Sequence, residues 1–389
     1  MNQRINLKLI AASLISACTV SGVFAQNGGL PIVTTAVPML RISADARSGG
    51  MGDANLAIAP DVNSIFTNQS KIPFMDKKGG LGLTYSPWLK DIGVTDVYLL
   101  SAAGYYKLDD NQALTSSIRY FNLGNIEFTD AYGNPQTSQN PREFAWDLGY
   151  ARKLSDKMSL GIALRYINSK LATGDPNNSG VQYKAGTSVA GDITWYYNGV
   201  KENEGGWSFA AAITNLGNKI SYTNDAQAKD YIPANLGIGA AYTKVFDEYN
   251  KITFDVDINK LLVPTPPSDF TDSTLIQYRS KNIVSSWFSS FGDAGGFSNE
   301  LKLLQISGGA EYWYNSQFAL RAGYYYEDKS QGDLQYFSLG IGLKYQAFGL
   351  NFSYLVPSGS GTTRNPLSNT LRFGVLFDLG HSESSSSSN

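Results

Sequence analysis

Histidine and cysteine are nearly missing: the 389 residues hold one of each, His381 and Cys18. With the sole imidazole in a Ser-rich tail, no base is held in place for a Ser-His-Asp or Cys-His arrangement. Without Cys or His clusters a zinc centre has no ligands. Charge is also scarce, 16% of residues against about 25% in ordinary soluble domains. A net charge of -2 and an isoelectric point of about 5.6 leave no basic footprint, which excludes nucleic acid as a partner. After the N-terminal segment there is no run of 18 or more apolar residues, so no transmembrane helix is expected. The glycines Gly49, Gly50 and Gly52 follow no strand and do not make a dinucleotide site. No catalytic residue, cofactor or metal is expected, and the chain does not read as an enzyme.

What the chain does have is Gly, Tyr and period-two alternation: 39 Gly, 24 Tyr and 13% aromatics overall. The stretch EFAWDLGYARKLSDKMSLGIALRYI, residues 143–167, shows the pattern best. Phe144, Trp146, Leu148 and Tyr150 alternate with Ala145, Asp147, Gly149 and Ala151. After a short break, Met158, Leu160, Ile162, Leu164 and Tyr166 alternate with Ser159, Gly161, Ala163 and Arg165. Such alternation predicts two antiparallel strands joined by a tight turn. In a soluble sandwich the face opposite the core is solvated and polar. Here it is mostly Gly, Ala and Ser, which suits a crowded or water-filled lumen. The bulky face then turns outward, and its solvent is lipid. A membrane protein without spanning helices must be a closed barrel, because only closure satisfies every backbone group in hydrocarbon.

The same test predicts strands near 80–87, 97–107, 113–123, 143–153, 157–168, 187–198, 206–214, 234–245, 250–259, 304–314, 317–327, 334–346, 348–355 and 368–379. Fourteen is an even number, as bacterial outer-membrane barrels require. Connections alternate short and long, with the long ones at 88–96, 124–142, 169–186, 215–233, 260–303, 328–333 and 356–367. Short periplasmic turns and long outer loops are the barrel pattern, and they place both chain ends in the periplasm. Tyr312, Tyr314 and Phe318 gather round the turn at Asn315-Ser316, as in an interfacial aromatic girdle.

Inward positions carry Arg119, Asp147, Arg165, Asp192, Asp255, Asp257, Glu311, Arg321, Lys344 and Arg372, with nearly balanced signs. Balance points to a hydrogen-bonded lumen or to plug contacts more than to a selective pore, where one sign would dominate. Asp255 and Asp257 share a face and could serve acid–base chemistry, but a structural role is the favoured reading.

Four segments follow. Residues 1–25 read as a signal peptide, with Arg4 and Lys8 before an apolar stretch and Val23-Phe24-Ala25 as the cleavage site. A rival reading makes Ile15-Ser16-Ala17-Cys18 a lipoprotein signal. Residues 26–79 do not alternate and are expected to plug the lumen or lie beneath the barrel. Residues 80–379 form the barrel, and 380–389 a disordered Ser-rich tail. Within the longest outer loop, Ile283, Val284, Trp287, Phe288 and Phe291 recur at helical spacing. They form either a lid over the barrel mouth or a docking patch, since aromatic anchors dominate interfaces.

The stretch ARSGGMGDANLAIAPDVNSIFTNQSKIPF, residues 46–74, resembles the plug of FadL-like outer-membrane barrels. Gly49, Gly50 and Gly52 match its Gly-rich turn, Asp61 its acidic position and Asn68 its Asn, while Gln69-Ser70 replaces the usual Pro-Ala. With LRISADARSGGMGDANLAIAPDVNS, the strand count and the chain length, the chain is more similar to the PorV family of the type IX secretion system. That resemblance implies a fourteen-stranded, non-catalytic outer-membrane barrel. It further implies binding of cargo proteins with C-terminal signal domains, taken from a large outer-membrane translocon channel and passed to a sortase-like attachment complex. The FadL resemblance implies instead a transporter of hydrophobic small molecules.

Overall fold

The computed structural model describes residues 30–90, 93–129, 135–176, 180–225, 229–269, 271–356 and 369–380. The stretch read as a signal peptide, with Cys18, and residues 381–389, with His381, lie outside them. Sixteen strands form in chain order: β1 Gly79–Pro87, β2 Val97–Lys107, β3 Gln112–Leu123, β4 Ile126–Thr129, β5 Pro135–Gln139, β6 Arg142–Lys153, β7 Met158–Lys170 and β8 Gly186–Asn198. Then follow β9 Gly205–Gly217, β10 Asn235–Val245, β11 Asn250–Leu261, β12 Leu304–Tyr314, β13 Phe318–Glu327, β14 Gln335–Tyr345, β15 Phe348–Leu355 and β16 Leu371–Leu379. All but β4 and β5 make one closed antiparallel barrel of fourteen strands, sealed where β1 pairs with β16 from Gly79↔Leu379 to Tyr85↔Phe373. No helix among the described residues is long and apolar enough to cross a membrane.

Strand ends shift from the sequence reading for local reasons. β16 starts at Leu371 because Asn369 takes a left-handed φ of 61°, which breaks the extended run. The β4–β5 hairpin falls inside a stretch read as loop. It is a separate two-stranded ribbon with largely exposed residues, so no buried face imprints alternation on it. The β8–β9 ladder slips between Gly191 and Ile193, and Asp192 at the slip is buried.

The outward register is as the alternation requires. Leu83, Leu148, Leu164, Ile238, Val256, Leu339 and Val375 are exposed on the barrel exterior, while Arg119, Asp147, Arg165, Asp192, Asp255, Asp257, Glu311, Arg321 and Arg372 are buried. The exception among the inward charges is Lys344. It lies one residue from the end of β14, half-exposed, and pairs with Asp378 at 3.1 Å. Aromatics pair at both ends of the wall: Trp207 lies 5.0 Å from Tyr242 and Phe348 5.0 Å from Phe377 at the short turns, and Tyr85 lies 5.9 Å from Tyr98 and Tyr324 4.6 Å from Phe337 at the long connections.

Candidate functional site

Residues 37–75 run against the inner wall and supply much of the buried apolar surface, while Leu30 and Val33 pack into the core of the outer loop. Val37, Met39 and Leu40 pack with Leu99, Phe121 and Ile167 of the wall. Met51, Leu56 and Ile58 pack with Tyr196, Ala210 and Ala241. The segment has only short regular pieces, a helix at Ala46–Gly49 and 3-10 turns at Pro38–Arg41, Val62–Phe66 and Gln69–Phe74. Its order therefore comes from what it touches.

The Gly-rich turn shows why those residues are small. Gly52 has φ +65° and its backbone faces Tyr324, so a side chain there would be strained and would collide. The wall yields in turn: a Cβ placed on Gly323 would sit 1.9 Å from the carbonyl carbon of Met51, and one on Gly340 3.0 Å from the Cα of Gly50. Gly49 lies under Arg372, whose guanidinium would be 2.4 Å from a Cβ at that position. Backbone meets backbone, and Gly52 N–H donates to Ser338 Oγ at 2.8 Å.

Charges lock the contact. Arg47 donates from Nε and Nη2 to the two oxygens of Glu311, at 2.8 and 2.7 Å. Its Nη1 reaches the carbonyl of Ala59 at 2.9 Å and lies 3.4 Å from Asp61. Glu311 also accepts from Arg321 Nε at 2.7 Å, and Arg321 continues to Asn351 at 2.9 Å. A bidentate guanidinium–carboxylate pair is directional as well as strong. Asp257 Oδ2 accepts from the backbone N–H of Asn55 and Leu56, at 2.7 and 2.9 Å. Asn68 is fully buried. Its amide donates to the carbonyls of Leu56 and Trp195, both at 3.2 Å, and its oxygen accepts from Ser70. Ser70 thus satisfies Asn68 at one of the two positions where the family pattern has Pro-Ala. A second cluster lies wholly within the wall, where Arg165 bonds Asp147, Asn215 and Asp192, the last at 2.8 Å. The five sequence-selected residues Gly49, Gly50, Gly52, Asp61 and Asn68 all fall within this interior contact. Sequence reasoning missed Arg47, Asn55 and Lys71, whose amine donates to the Asn55 carbonyl at 2.6 Å. A buried Arg in a non-alternating segment, opposite an inward acid, is the signal that would have found the first.

Between this segment and the wall a cavity of about 140 Å³ remains, lined by groups as different as Arg119, Asn215, Asp257, Leu56 and Phe66.

The outer loop after β11 folds into three helices, Asp272–Ser280, Ile283–Ser289 and Phe297–Lys302. Asn282 caps the second, its Oδ1 accepting from Val284 and Ser285 N–H at 3.0 and 3.1 Å. Ile283 turns inward, against a small core that includes Val33, Tyr231, Val263 and Leu303. Lys219 closes the first helix, donating to the carbonyls of Arg279 and Lys281 at 2.6 and 2.7 Å, with its amine over the Tyr231 ring. Burial, with Lys229 and Lys281 nearby, pushes the Lys219 amine below its ordinary range. On the outer side Trp287 is half-buried, Phe291 is exposed, and Phe288 is 74% exposed.

Solved structures share the architecture. The chain is similar to the toluene transporter TbuX of Ralstonia pickettii, with TM-score 0.54, 11% identity, and coverage of 87% of this chain and 98% of that one. It is also similar to the TodX deltaS2S3 mutant monoaromatic hydrocarbon channel, with TM-score 0.51, 12% identity, and coverage of 85% and 97%. At such identities the likeness shows the fold alone. A search of curated proteins finds no match. The family model described as type IX secretion system protein PorV matches residues 25–268, well over half of the chain. With an outward lipid-facing band, a filled lumen and this match, the chain belongs to the PorV family of outer-membrane type IX secretion proteins.

Proposed function

We propose that this barrel works as a binding and delivery component rather than as a conduit. It would bind secreted cargo bearing a C-terminal signal domain at the large translocon channel and hand it to the sortase-like attachment complex. The supporting observation is the occupied lumen. Small-molecule sites usually enclose roughly 300–1,000 Å³ and are mainly apolar, whereas the interior cavity is about 140 Å³ with charged and amide groups in its lining. A segment held by a buried bidentate ion pair has no evident reason to leave, so the chemistry that meets partners is on the outside. There the loop offers Phe288 and Phe291 near half-buried Trp287, a grouping of the kind that dominates interfaces.

Affinity purification of the native protein from outer membranes tests this reading. Co-purification of a very large channel or of a C-terminal-signal protein supports it. If the purified barrel retains no protein partner and speeds entry of hydrophobic small molecules into vesicles, the FadL-like transporter reading replaces it. Trp287→Ala with Phe291→Ala should weaken recovery of the channel while barrel assembly is unchanged, and unchanged recovery would remove the loop from the role.

A further inference from the structure

The outer loop leaves one side of the barrel unlike the rest. β10, β11 and β12 present a row of outward residues near their outer ends, Leu236↔Lys260↔Leu304, with Ile238↔Ile258↔Ile306 one layer nearer the bilayer centre. Lys260 is thus in the lipid-facing register, yet its side chain is only 8% exposed. The Phe297–Lys302 helix lies across it, and Glu300 pairs with its amine at 3.1 Å. Phe291 stacks over the same amine, 5.7 Å from ring centroid to nitrogen. The other Glu300 oxygen accepts from the Ala294 N–H at 2.8 Å.

This arrangement encloses a groove of about 550 Å³, floored by Ile238 and Ile258 and roofed by Phe291, Phe297 and Leu301. We propose that it is a lipid site, holding one acyl chain of an outer-leaflet lipid against the barrel wall. Three observations carry this. The floor belongs to the same exposed apolar band that faces hydrocarbon elsewhere, so the groove opens directly into the bilayer. The charged side chains that line it, Lys260 and Glu300, face each other at 3.1 Å and are turned from solvent, and the rest of the lining is apolar. The roof residue Phe297 is 78% exposed, a costly position in water and a favourable one against a chain. A depression of similar size, about 500 Å³, lies on the opposite seam among Leu83, Leu100, Ile118 and Phe373, but it is lined by wall strands alone. Lipid can slide past that depression, whereas the roofed groove offers a chain two walls. The Lys260–Glu300 pair is the strut that keeps the second wall in place. The site shares Phe291 with the docking grouping proposed above, but its test uses Ile238 and Lys260, which that grouping does not include.

Native mass spectrometry of the full chain, released from detergent after titration with dioleoyl phosphatidylethanolamine, tests it. The unaltered protein and Leu148→Trp, a lipid-facing control on β6, should both retain one lipid adduct. Ile238→Trp fills the groove from its floor and should lower retention about tenfold. Lys260→Met removes the strut and should lower it in the same direction, which keeps the test decisive should Ile238→Trp fail to assemble. Equal retention by the groove variants and the control overturns the proposal, as does an unaltered protein that retains no lipid.

Discussion

The interior segment and the outer loop both lack the alternation of the wall, yet they are held in opposite ways. The interior segment brings only helical pieces of 4 to 6 residues, and its backbone is pressed against glycines of β12, β13 and β14. Its guanidinium Arg47 is shared between a wall carboxylate and its own chain. The loop builds three helices, the first two capped by Thr271 and Asn282, and a small core completed by Val33, Tyr231 and Leu261; it meets the outer face of the wall through the Lys260–Glu300 pair and exposed aromatics. One region is fixed by backbone fit and buried charge against the wall, the other by its own helices around a core shared with Val33 and Tyr231. A sealed interior and a loop with aromatics left exposed suit a protein whose partners meet its surface.

The largest effect should come from closing the space that the interior segment needs. Gly323→Val would place methyl groups where the Met51 backbone runs. The barrel should then either fail to assemble or leave the segment unseated, seen as new proteolytic cleavage within 46–74 of protein that still shows folded-barrel gel mobility. Full protease resistance would show that the wall yields. Next, Glu311→Ala strands Arg47 and Arg321 in a buried site, and breaking a buried pair costs about 3–5 kcal/mol. The urea midpoint in detergent should fall accordingly, and an unchanged midpoint would show that water reaches the pair. On the loop the expectation reverses. Phe288→Ala should change the unfolding free energy by no more than about 0.5 kcal/mol, as for other surface changes, while reducing recovery of the partner channel. Smallest of all, Lys219→Met removes the donor from the last carbonyls of the Asp272–Ser280 helix, an interaction at a helix C-terminus worth about 0.3–1 kcal/mol. Faster amide exchange confined to that helix would register it, and exchange that spreads into the wall would mean that the loop is better anchored than its contacts show.

The barrel was legible in the sequence because lipid imposes a one-residue rule. Each outward position must be apolar and each inward one need only fit, so Leu160, Ile162 and Leu164 against Ser159, Gly161 and Ala163 suffice to set the register. The alternation of short and long loops was legible too, and the resemblance of residues 46–74 marked the glycines. The helical spacing of Ile283 to Phe291 was visible as well, but which way each residue faced was not. Ile283 went into the loop's own core and Phe288 outward, a choice made by Tyr231, Val263 and Leu303, residues distant in sequence. The β4–β5 ribbon left no pattern because it buries no face.

The chain by itself determined fourteen outward stripes and a lumen of small and ionic residues, because the solvent on each side of a strand reads residues one at a time. Only the closed barrel decided that Glu311 meets Arg47 across 264 positions of sequence, that Gly323 lies against Met51, and that Lys260 is covered by Glu300. Those pairings depend on where distant strands and loops arrive in space, and no periodicity along the chain encodes that.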